Sequence, residues 1–398
     1  MSTIKDGYKE TEIGVIPEEW EVVKVGDILN VQTGKMNAQD QVENGKYPFF
    51  TRSVDVQTID TFAYDTEALF IAGEGNFKVK YYNGKFNLHQ RTYMLTSIKD
   101  ANIKFLLNAI QPKVNKLIST SVGSTVQSLR KPLIEDLKIP FPPLKEQEKI
   151  ADILSTADEK IDAITSQIQK AEILKKGLLQ KLLSDGIGHS EFKDSELGKI
   201  PENWKVVELG SCVNGKGNYG IGAAAVNYDK NLPIYLRITD IDDNGNFISS
   251  NKKCVDSLDV SNYQLEDGDI VFARTGNTTG KTYLYNPDDG ILIYAGFLIK
   301  FTPNKKVLNT YYLKLQASTE RYWNWVKVTS MRTGQPGINS EEYSKFIFPL
   351  PPLEEQKQIA DILSTADEKL EVLRAKKEKY EELKKGLLQK LLSGEVRV

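Results

Sequence analysis

The sequence predicts an α+β fold in which two mixed α/β domains are joined by two long helices that form an intramolecular antiparallel coiled coil, with pseudo-two-fold symmetry. Three observations support this. The 398 residues contain two collinear copies of one pattern, each copy begins with short β-type runs, and each ends in a long segment of helical periodicity. We expect domains at 1–141 and 187–350, and long helices at 142–186 and 351–398.

The internal repeat is clearest in the segments predicted to be helices. Residues 142–184 and 351–393 are identical at 29 of 43 positions, with a constant offset of 209. Upstream, the motif Ile-Pro-x-x-Trp at Ile16 recurs 184 residues further on, and Ala-x-x-Gly-Asn at Ala72 recurs 201 residues further on. Because the offsets increase along the chain, the two halves are collinear and differ by insertions.

The first part of each copy is predicted to be rich in short strands. Apolar runs at 68–72, 270–273 and 297–301 predict strands, and Asn-Gly or Asp-Gly dipeptides mark turns between such runs. Helical periodicity over Ile103–Ile118 and Thr310–Val326 makes the class α+β instead of all-β.

The repeated segments are predicted to be helices because a proline pair ends the strand before each of them. Apolar residues then recur at steps of three and four over several heptads, which is typical of a coiled-coil seam. The predicted seam is Ile150, Ile153, Ala157, Ile161, Ile164, Ile168, Ala171, Leu174, Leu178 and Leu182, with Ile359, Ile362, Ala366, Leu370, Leu373, Lys377, Tyr380, Leu383, Leu387 and Leu391.

A helix of about 38 residues spans roughly 57 Å, which exceeds the size of a domain of about 130 residues. The overhang favours the other helix of the chain as the packing partner. The alternative is that each apolar stripe packs only on its own domain. Gly177 and Gly386 lie inside these helices, where they predict a close helix crossing or a frayed turn.

Composition limits the classes of function. Two cysteines and two histidines exclude a disulfide framework and argue against a metal centre, so no metal site is predicted. The first residues lack the apolar core of a signal peptide and no run of about 18 apolar residues occurs, so we expect a cytoplasmic protein. The formal net charge is −2, so any nucleic-acid surface depends on local basic clusters.

The repeated helix and the order of the segments resemble a known family. The stretch PPLKEQEKIADIL from Pro142 and KGLLQ from Lys176, with their copies from Pro351 and Lys385, are similar to the helices of DNA-specificity subunits of type I restriction–modification systems. The Ile-Pro-x-x-Trp opening of each domain also fits. The resemblance covers nearly the whole chain, and it implies that each domain is a target-recognition domain for half of a split DNA site.

The resemblance also implies that the chain is not an enzyme. In that family the helices dock two adenine methyltransferase subunits, which bring S-adenosylmethionine. Restriction subunits that use ATP and Mg²⁺ join the complex. We therefore expect no cofactor in this chain and no association with a membrane. Two nearly identical surfaces fit two copies of one partner. The docking candidates are Glu146, Gln147, Asp152, Ser155, Glu355, Gln356, Asp361 and Ser364.

Two unlike readers held by a rod can contact major-groove segments about one helical turn, roughly 34 Å, apart. We therefore expect double-stranded DNA with a bipartite, asymmetric target. Candidate contacts lie on two polar, glycine-containing loops in each domain, a hairpin tip and a loop before the final strand that is similar to the family's Gly-x-x-Gln stretch. They are Lys78, Lys80, Ser124, Thr125, Gln127, Arg274, Thr275, Asn277, Thr278, Lys281, Arg332, Thr333 and Gln335.

Four further cations, Arg52, Arg91, Arg237 and Lys327, are candidate phosphate ligands. For each of these, an internal salt bridge is the alternative. For the hairpin tips, the alternative is that the glycines serve a tight turn and the charges are solvated.

Enzymatic alternatives lack the residues they need. Gly276–Thr282 is similar to a phosphate-binding loop, but position 275 is threonine and a strand, not a helix, is predicted to follow. Neither an Asn-Pro-Pro-aromatic motif of base-methylating enzymes nor a nuclease-like set of carboxylates is found in the sequence. The remaining alternative is a non-enzymatic coiled-coil scaffold with two protein-binding modules.

Overall fold

The computed structural model of the chain describes residues 4–120, 128–257, 260–331 and 335–398. The chain forms two compact units: unit 1 consists of residues 1–167 and 374–398, and unit 2 consists of residues 168–373. Each unit therefore contains one predicted domain together with parts of both long helices.

The secondary structure follows the predicted order of domain, helix, domain and helix. The helices are α1 (Val25–Ile28), α2 (Ile103–Thr120), α3 (Lys131–Glu135), α4 (Leu144–Ser184), α5 (Thr310–Gln316), α6 (Glu320–Thr329), α7 (Ser340–Ser344) and α8 (Leu353–Leu392). The strands before α4 are β1 (Tyr8–Thr11), β2 (Gly14–Pro17), β3 (Glu21–Lys24), β4 (Leu29–Thr33), β5 (Tyr47–Phe50), β6 (Gln57–Ile59), β7 (Tyr64–Ala72), β8 (Lys80–Leu88), β9 (Thr92–Ser97) and β10 (Lys138–Phe141). The strands after α4 are β11 (Phe192–Ser195), β12 (Gly198–Pro201), β13 (Lys205–Glu208), β14 (Asn218–Tyr219), β15 (Ala225–Asn227), β16 (Ile234–Leu236), β17 (Lys253–Val255), β18 (Ile270–Ala273), β19 (Thr282–Leu284), β20 (Leu292–Tyr294), β21 (Leu298–Phe301) and β22 (Ile347–Leu350).

The domain of unit 1 is built on a six-stranded sheet with the order β4-β9-β7-β8-β5-β6. Neighbouring strands are antiparallel except β5 and β8, which are parallel. Leu69 and Ile71 of the central strand β7 share a buried cluster with Leu106 and Ile110 of α2. Helix α2 buries this face because its apolar residues recur every third or fourth position.

The domain of unit 2 has two four-stranded sheets, with the orders β14-β21-β18-β19 and β15-β17-β16-β20. The single helix predicted over 310–326 is two helices, α5 and α6. Helix α5 ends at a cap on Ala317, and the side chain of Thr319 then accepts the N–H of Tyr322 to begin α6. Threonine is a favoured residue at a helix N-cap, so the break has a local cause.

Each domain is closed by pairing between its last strand and the strand that follows the Ile-Pro-x-x-Trp motif. Strand β3 pairs antiparallel with β10 in unit 1, and β13 pairs antiparallel with β22 in unit 2. That strand is the third of its domain and comes just after a two-stranded hairpin. Each last strand leads through a proline pair into a long helix. The chain therefore enters the helix beside the point where the domain begins.

A buried glutamate in the first turn of α4 fixes that helix to its domain. The indole Nε1 of Trp20, which is fully buried, donates to Glu146 Oε2 at 2.9 Å. The Nε of Arg397 donates to Glu146 Oε1 at 2.7 Å, and the same guanidinium reaches Glu19 at 2.9 Å. We call the tryptophan, the glutamate and this cation the clamp of unit 1.

Unit 2 contains an equivalent clamp in the first turn of α8. Trp204 Nε1 donates to Glu355 Oε2 at 3.0 Å, and His189 Nε2 lies 2.7 Å from Glu355 Oε1. The group beside the second carboxylate oxygen is therefore arginine in one unit and histidine in the other. The clamps explain why the tryptophan motif and the Glu-Gln helix motif occur together in both copies.

The glutamine after each clamp glutamate also binds its own domain. Gln147 Oε1 accepts the N–H of Asn102 at 3.0 Å, and its Nε2 donates to the carbonyl of Pro142 at 2.8 Å. Gln356 makes the equivalent bonds, at 2.9 and 2.8 Å, to the residue before α5 and to the proline two residues before α8. These amides join the helix start to the domain.

Burial therefore contradicts the prediction that Glu146, Gln147 and Gln356 dock a partner, whereas Glu355 is half-buried and stays a prediction. Their polar atoms are bonded within the chain, and the two glutamines are only 1% and 0% exposed. A buried polar side chain whose bonds are made internally presents no group to a partner. The other docking candidates are exposed or half-buried and stay predictions; they are Asp152, Ser155, Asp361 and Ser364.

Within each unit, α4 and α8 run side by side in opposite directions. In unit 1, Asp158 of α4 pairs with Lys384 of α8, and the clamp joins the start of α4 to the residues beyond the end of α8. In unit 2, Lys175 of α4 pairs with Asp367 of α8. The two ion pairs occupy equivalent repeat positions, and the predicted antiparallel helix pair is confirmed within each unit.

The seam departs from the prediction where a charged pair enters it. Leu174 and Leu383 are 63% and 55% exposed, and the half-buried Lys175 and Lys384 are the residues that pair across the helices. In a coiled coil, successive seam residues are alternately three and four positions apart. Residues 168, 171, 175 and 178 keep this alternation, whereas a seam through 168, 171 and 174 would have two successive steps of three. The same rule explains why Ile362 is 41% exposed beside a buried Leu363.

Gly177 and Gly386 lie on exposed turns of α4 and α8, three residues after Leu174 and Leu383. A Cβ added at either position would meet no atom within 4 Å, so the prediction of a close crossing within the chain is wrong. A glycine in a helix interior costs about 1 kcal/mol relative to alanine. Packing within the described chain does not explain why both copies have glycine there.

The clamp predicts a large stability effect for a small substitution. Trp20→Phe removes the indole donor to Glu146 and leaves a gap around a buried carboxylate. We expect the free energy of unfolding to fall by about 2–3 kcal/mol. Urea unfolding followed by circular dichroism measures this change, and Trp204→Phe is expected to give a similar loss.

The matched control is Trp323→Phe, because this side chain is 41% exposed. A substitution there is expected to change stability by less than about 0.5 kcal/mol. A Trp20→Phe variant as stable as this control would contradict the clamp.

Candidate nucleic-acid interface

Two segments that contain predicted DNA contacts adjoin in unit 2. One is the turn between β18 and β19, residues 274–281, and the other is the segment 335–338 before α7. The N–H of Ile338 donates to the carbonyl of Arg274 at 2.9 Å, and the N–H of Gly276 donates to the carbonyl of Pro336 at 3.0 Å. The predicted hairpin is confirmed, because β18 and β19 pair antiparallel.

Unit 1 has the same arrangement at the equivalent repeat positions. The N–H of Leu129 donates to the carbonyl of Gly73 at 2.8 Å, and Glu74 forms an isolated bridge with Ser128. The turn between β7 and β8 therefore adjoins the segment before α3. One backbone frame carries the candidate residues in both units.

The glycine of the Ala-x-x-Gly-Asn motif has a backbone role in both turns. Gly75 and Gly276 have φ angles of 84° and 75°, in the left-handed region that glycine adopts most easily. The alternative in which the glycines serve a tight turn is therefore correct for these two positions. The backbone role of these glycines does not involve the neighbouring side chains, which stay predicted DNA contacts.

Some candidate residues of unit 2 make hydrogen bonds within the turn, and others are exposed to solvent. The hydroxyls of Thr275 and Thr278 donate to loop carbonyls at 3.5 and 3.4 Å. Asn277 and Gln335 are exposed, and Lys327 is exposed on α6, which approaches the turn at Gly280. Amide and ammonium groups are therefore presented beside a turn whose shape the threonines help to fix.

The candidates of unit 1 gather around one carboxylate. Arg52 and Arg91 both donate to Glu74 at 3.0 Å, and Lys80 Nζ donates at 2.6 Å to the carbonyl of the residue after Arg52. Lys78 is exposed on the same turn. The internal ion pair considered for the two arginines is present. Asp55 also acts on Lys80 and Asp40 on His89, so the four cations exceed the three carboxylates of the cluster by one.

The same cluster shifts several pKa values. Hydrogen bonding from Arg91 is the main reason why the pKa of Glu74 is lowered. Burial is the main cause of the lowered pKa values of Lys80 and His89, and the two arginines add to the effect at His89. His89 Nδ1 accepts the N–H of Arg91 at 3.0 Å, which requires an unprotonated nitrogen there.

Two predicted contacts have ion-pair partners inside unit 2. Arg237 donates to both oxygens of Asp240, at 2.8 and 2.6 Å, and this bonding raises the pKa of the guanidinium. Lys281 pairs with Asp243 at 2.7 Å, and its hydrogen bond lowers the pKa of that carboxyl. The internal salt bridge considered for Arg237 is therefore present, as it is for Arg52 and Arg91. Lys281 also has an ion-pair partner, whose carboxylate is 92% exposed, and both residues stay predicted DNA contacts.

Five candidates lie outside the described residues: Ser124, Thr125, Gln127, Arg332 and Thr333. Sequence reasoning missed Tyr219, whose ring lies 4.8 Å from the guanidinium carbon of Arg274. It also missed the carboxylate of Glu74. Glu74 was detectable as the only acidic residue of a basic turn, whereas Tyr219 belongs to a distant strand and gave no local signal.

The described residues contain no cluster of three or more histidine, cysteine, aspartate or glutamate side chains suited to a metal ion. The turn that is similar to a phosphate-binding loop leads into strand β19, so it lacks the helix N-terminus that such a loop requires. Among the helices of the described ranges, none has an apolar stretch of membrane-spanning length.

A family model described as the type I restriction modification DNA specificity domain matches residues 17–173 and 201–382. Each match contains one domain and much of the long helix that follows. Together they cover more than half of the chain.

Relatives of similar length carry the same description. The putative type I restriction enzyme MjaX specificity subunit of Methanocaldococcus jannaschii is 30% identical over 440 residues, covering 99% of this chain and 97% of the relative. The MjaVIII specificity subunit of that organism is 28% identical over 420 residues with the same coverage. The EcoDI specificity subunit of Escherichia coli is 26% identical over 389 residues, covering 87% of this chain and 81% of the relative.

Solved structures share the fold. The S subunit of a type I restriction-modification system from M. genitalium matches with a TM-score of 0.67 at 17% identity, over 94% of this chain and 96% of that chain. A structure from work on complex assembly and conformational transition of the type I R-M system matches with a TM-score of 0.51 at 14% identity, over 96% and 99%. The predicted α+β architecture with two long helices is confirmed.

The comparisons also agree with the prediction of a chain that recognises DNA and does no chemistry itself, because the relatives are specificity subunits. The repeated domains, the two helices and the matching family model lead to one assignment: the chain belongs to the DNA-specificity subunits of type I restriction–modification systems.

Proposed function

We propose that the chain reads a bipartite, asymmetric target in double-stranded DNA, one half-site for each unit, and that it docks two adenine methyltransferase subunits. The observation that carries the DNA part is the pair of adjoining segments that recurs in both units with different side chains. A common backbone frame with different side chains suits two half-sites of different sequence.

Local charge supports the DNA part. The chain has a formal net charge of −2, yet in unit 1 two arginines bind Glu74, and Lys78 and Lys80 follow on the same segment. Unit 2 has Arg274 and the exposed Lys327 beside its turn. Local clusters of this kind attract the phosphate backbone even when the whole chain is slightly acidic.

The differences between the turns support an asymmetric target. Gly73 and Glu74 of unit 1 stand at the repeat positions of Arg274 and Thr275 in unit 2. The turn of unit 2 therefore has a guanidinium donor at a position where the turn of unit 1 has a glycine without a side chain. Base edges are distinguished by such donors and acceptors, so we expect unlike half-sites.

The docking part rests on a surface to which both helices contribute. In unit 2, the Lys175–Asp367 ion pair joins α4 to α8. It brings the α4 turn that contains Leu174 and Gly177 beside the α8 turn that contains Ser364. We call this the leucine–glycine face. Its leucine is largely exposed and its glycine has open space above it.

Unit 1 carries the same face with the helices exchanged. The Lys384–Asp158 pair brings Leu383 and Gly386 of α8 beside Ser155 of α4. An exposed leucine and a helix glycine that costs about 1 kcal/mol are retained in both copies. A partner side chain that packs over the glycine accounts for both features, and two equal faces fit two copies of one partner.

The polar candidates Asp152 and Asp361 extend the docking proposal along the exposed side of the helices. We propose that S-adenosylmethionine enters the complex with the methyltransferase subunits. ATP and Mg²⁺ would enter with restriction subunits that bind the methyltransferase assembly. These cofactors are assigned to the partners and to no residue of this chain.

Selection of sequences from a random duplex DNA pool by the full-length chain tests the proposed target. We expect two unlike half-sites separated by several base pairs of any sequence, because each unit carries its own turn residues. A continuous motif would contradict the bipartite target. A pool with no enriched motif would instead favour a scaffold with two protein-binding modules.

The salt dependence of binding tests the cationic turns. Lys78→Ala and Lys327→Ala are each expected to weaken binding to the selected duplex and to reduce the salt slope by about 1, because each removes a phosphate contact. Fluorescence anisotropy across a range of salt concentrations measures the slope. The control is Lys9→Ala, whose ammonium binds the carbonyl of Glu18 in the β1–β2 hairpin; slopes equal to this control would exclude both lysines.

Native mass spectrometry with the methyltransferase subunit tests the leucine–glycine faces. Leu174→Asp or Leu383→Asp is expected to reduce the bound partner from two copies to one, and the double variant to none, because a carboxylate replaces the apolar contact. Gln169→Arg is a control on an exposed position where the two copies differ. Two copies bound to the double variant would refute this docking surface.

A further inference from the structure

Arg274 has an aromatic support that no other candidate arginine of the described chain has. Its guanidinium carbon lies 4.8 Å from the centre of the Tyr219 ring. The arginine directly follows β18, at the mouth of the turn, and the tyrosine lies on β14. A guanidinium stacked on a ring is restrained in orientation, and its edge N–H groups stay free to bind other acceptors.

Tyr219 is itself held on two sides. Its backbone pairs with Ile299 of β21, and its hydroxyl accepts the N–H of Ser340 at the start of α7 at 3.1 Å. The next residue, Gly220, lies so close to the carbonyls of Tyr294 and Ala295 that an added Cβ would be 2.3 Å from each. The ring therefore rests on a segment with little freedom to move.

The charge of Arg274 is not used within the described part of the chain. Arg52 and Arg91 share a carboxylate, and Arg237 binds Asp240 through two nitrogens. The described residues provide no ion pair for Arg274, which is half-buried. An oriented guanidinium without a carboxylate partner is suited to an external acceptor.

The surface around Arg274 has the chemistry of a base contact. The N–H of Arg274 donates to the carbonyl of Phe297, whose side chain is 59% exposed. Tyr219 is 41% exposed, and Asn277 and Gln335 are exposed on the adjoining segments. Arginine binds the O6 and N7 atoms of guanine through two N–H groups, and exposed rings make apolar contacts with bases.

We propose that Arg274 contacts a guanine in the half-site read by unit 2, and that Tyr219 is the residue that positions it. The inference rests on the proposed function and goes further, because it names the base and the residue pair. A guanidinium fixed in a plane suits a two-bond contact with one base edge, whereas a phosphate can be bound by a mobile lysine. Gly73 stands at the equivalent position of unit 1, so this contact belongs to one half-site only.

The test repeats the selection from the random duplex pool with four full-length variants. Arg274→Ala is expected to lower the preference for guanine at one position by about tenfold to one-hundredfold and to leave the other half-site unchanged. Arg274→Lys keeps the charge but cannot form the two-bond contact, so it should lose the same preference. Tyr219→Leu should lower that preference by about two- to fivefold, and Tyr219→Phe, which keeps the ring, should stay within about twofold.

The half-site read by unit 1 is an internal control, since a misfolded variant would lose both half-sites. An unchanged motif with Arg274→Ala, or an equal loss at every position, would overturn the guanine contact and leave the proposed function intact. If Tyr219→Leu retains the full guanine preference, the positioning role is wrong. Failure of the unsubstituted chain to enrich any motif would overturn the proposed function and this inference together.

Discussion

A largely enclosed carboxylate at the start of each long helix, with a side chain 7% exposed in unit 1 and 11% exposed in unit 2, makes the interaction on which the architecture depends. An unpaired buried charge is costly, so Glu146 and Glu355 are tolerable only when their hydrogen-bond partners are in position. One partner is the tryptophan that opens the domain, and the other comes from the segment that follows the opposite helix. The clamp therefore forms only when the domain, the helix start and the returning helix end are all together.

This requirement separates the constant part of the molecule from the variable part. The clamps, the pairing of the last strand with the strand after the tryptophan motif, and the antiparallel ion pairs are equivalent in both units. The sheets differ: unit 1 has one of six strands and unit 2 has two of four. Both nevertheless present a hairpin turn against the segment before the last short helix. Different recognition surfaces can therefore be mounted on one unchanged frame.

Features with a local or repeated signal could be predicted from the sequence. The two long helices, the hairpins and the equivalence of Gly75 with Gly276 follow from periodicity and from the alignment of the copies. Contacts between distant segments could not be predicted. Repetition of Glu146 and Gln147 favours a partner surface, but their hydrogen-bond partners are inside the fold. Tyr219 meets Arg274 only because two separate strands of one sheet bring them together. Leu174 was misassigned because leucine is the more apolar neighbour, while the seam spacing selects Lys175.

The chain order of unit 1 has a consequence for biosynthesis. Residues 374–398 supply one helix surface and Arg397 to a domain made at the beginning of translation, and the ribosome adds them only after all of unit 2. Until residues 374–398 are synthesised, Trp20 and Glu146 of the first domain therefore lack part of the structure that covers them. All residues of unit 2 are synthesised before that point. A premature stop codon just before position 374 would accordingly harm the earlier domain more than the later one.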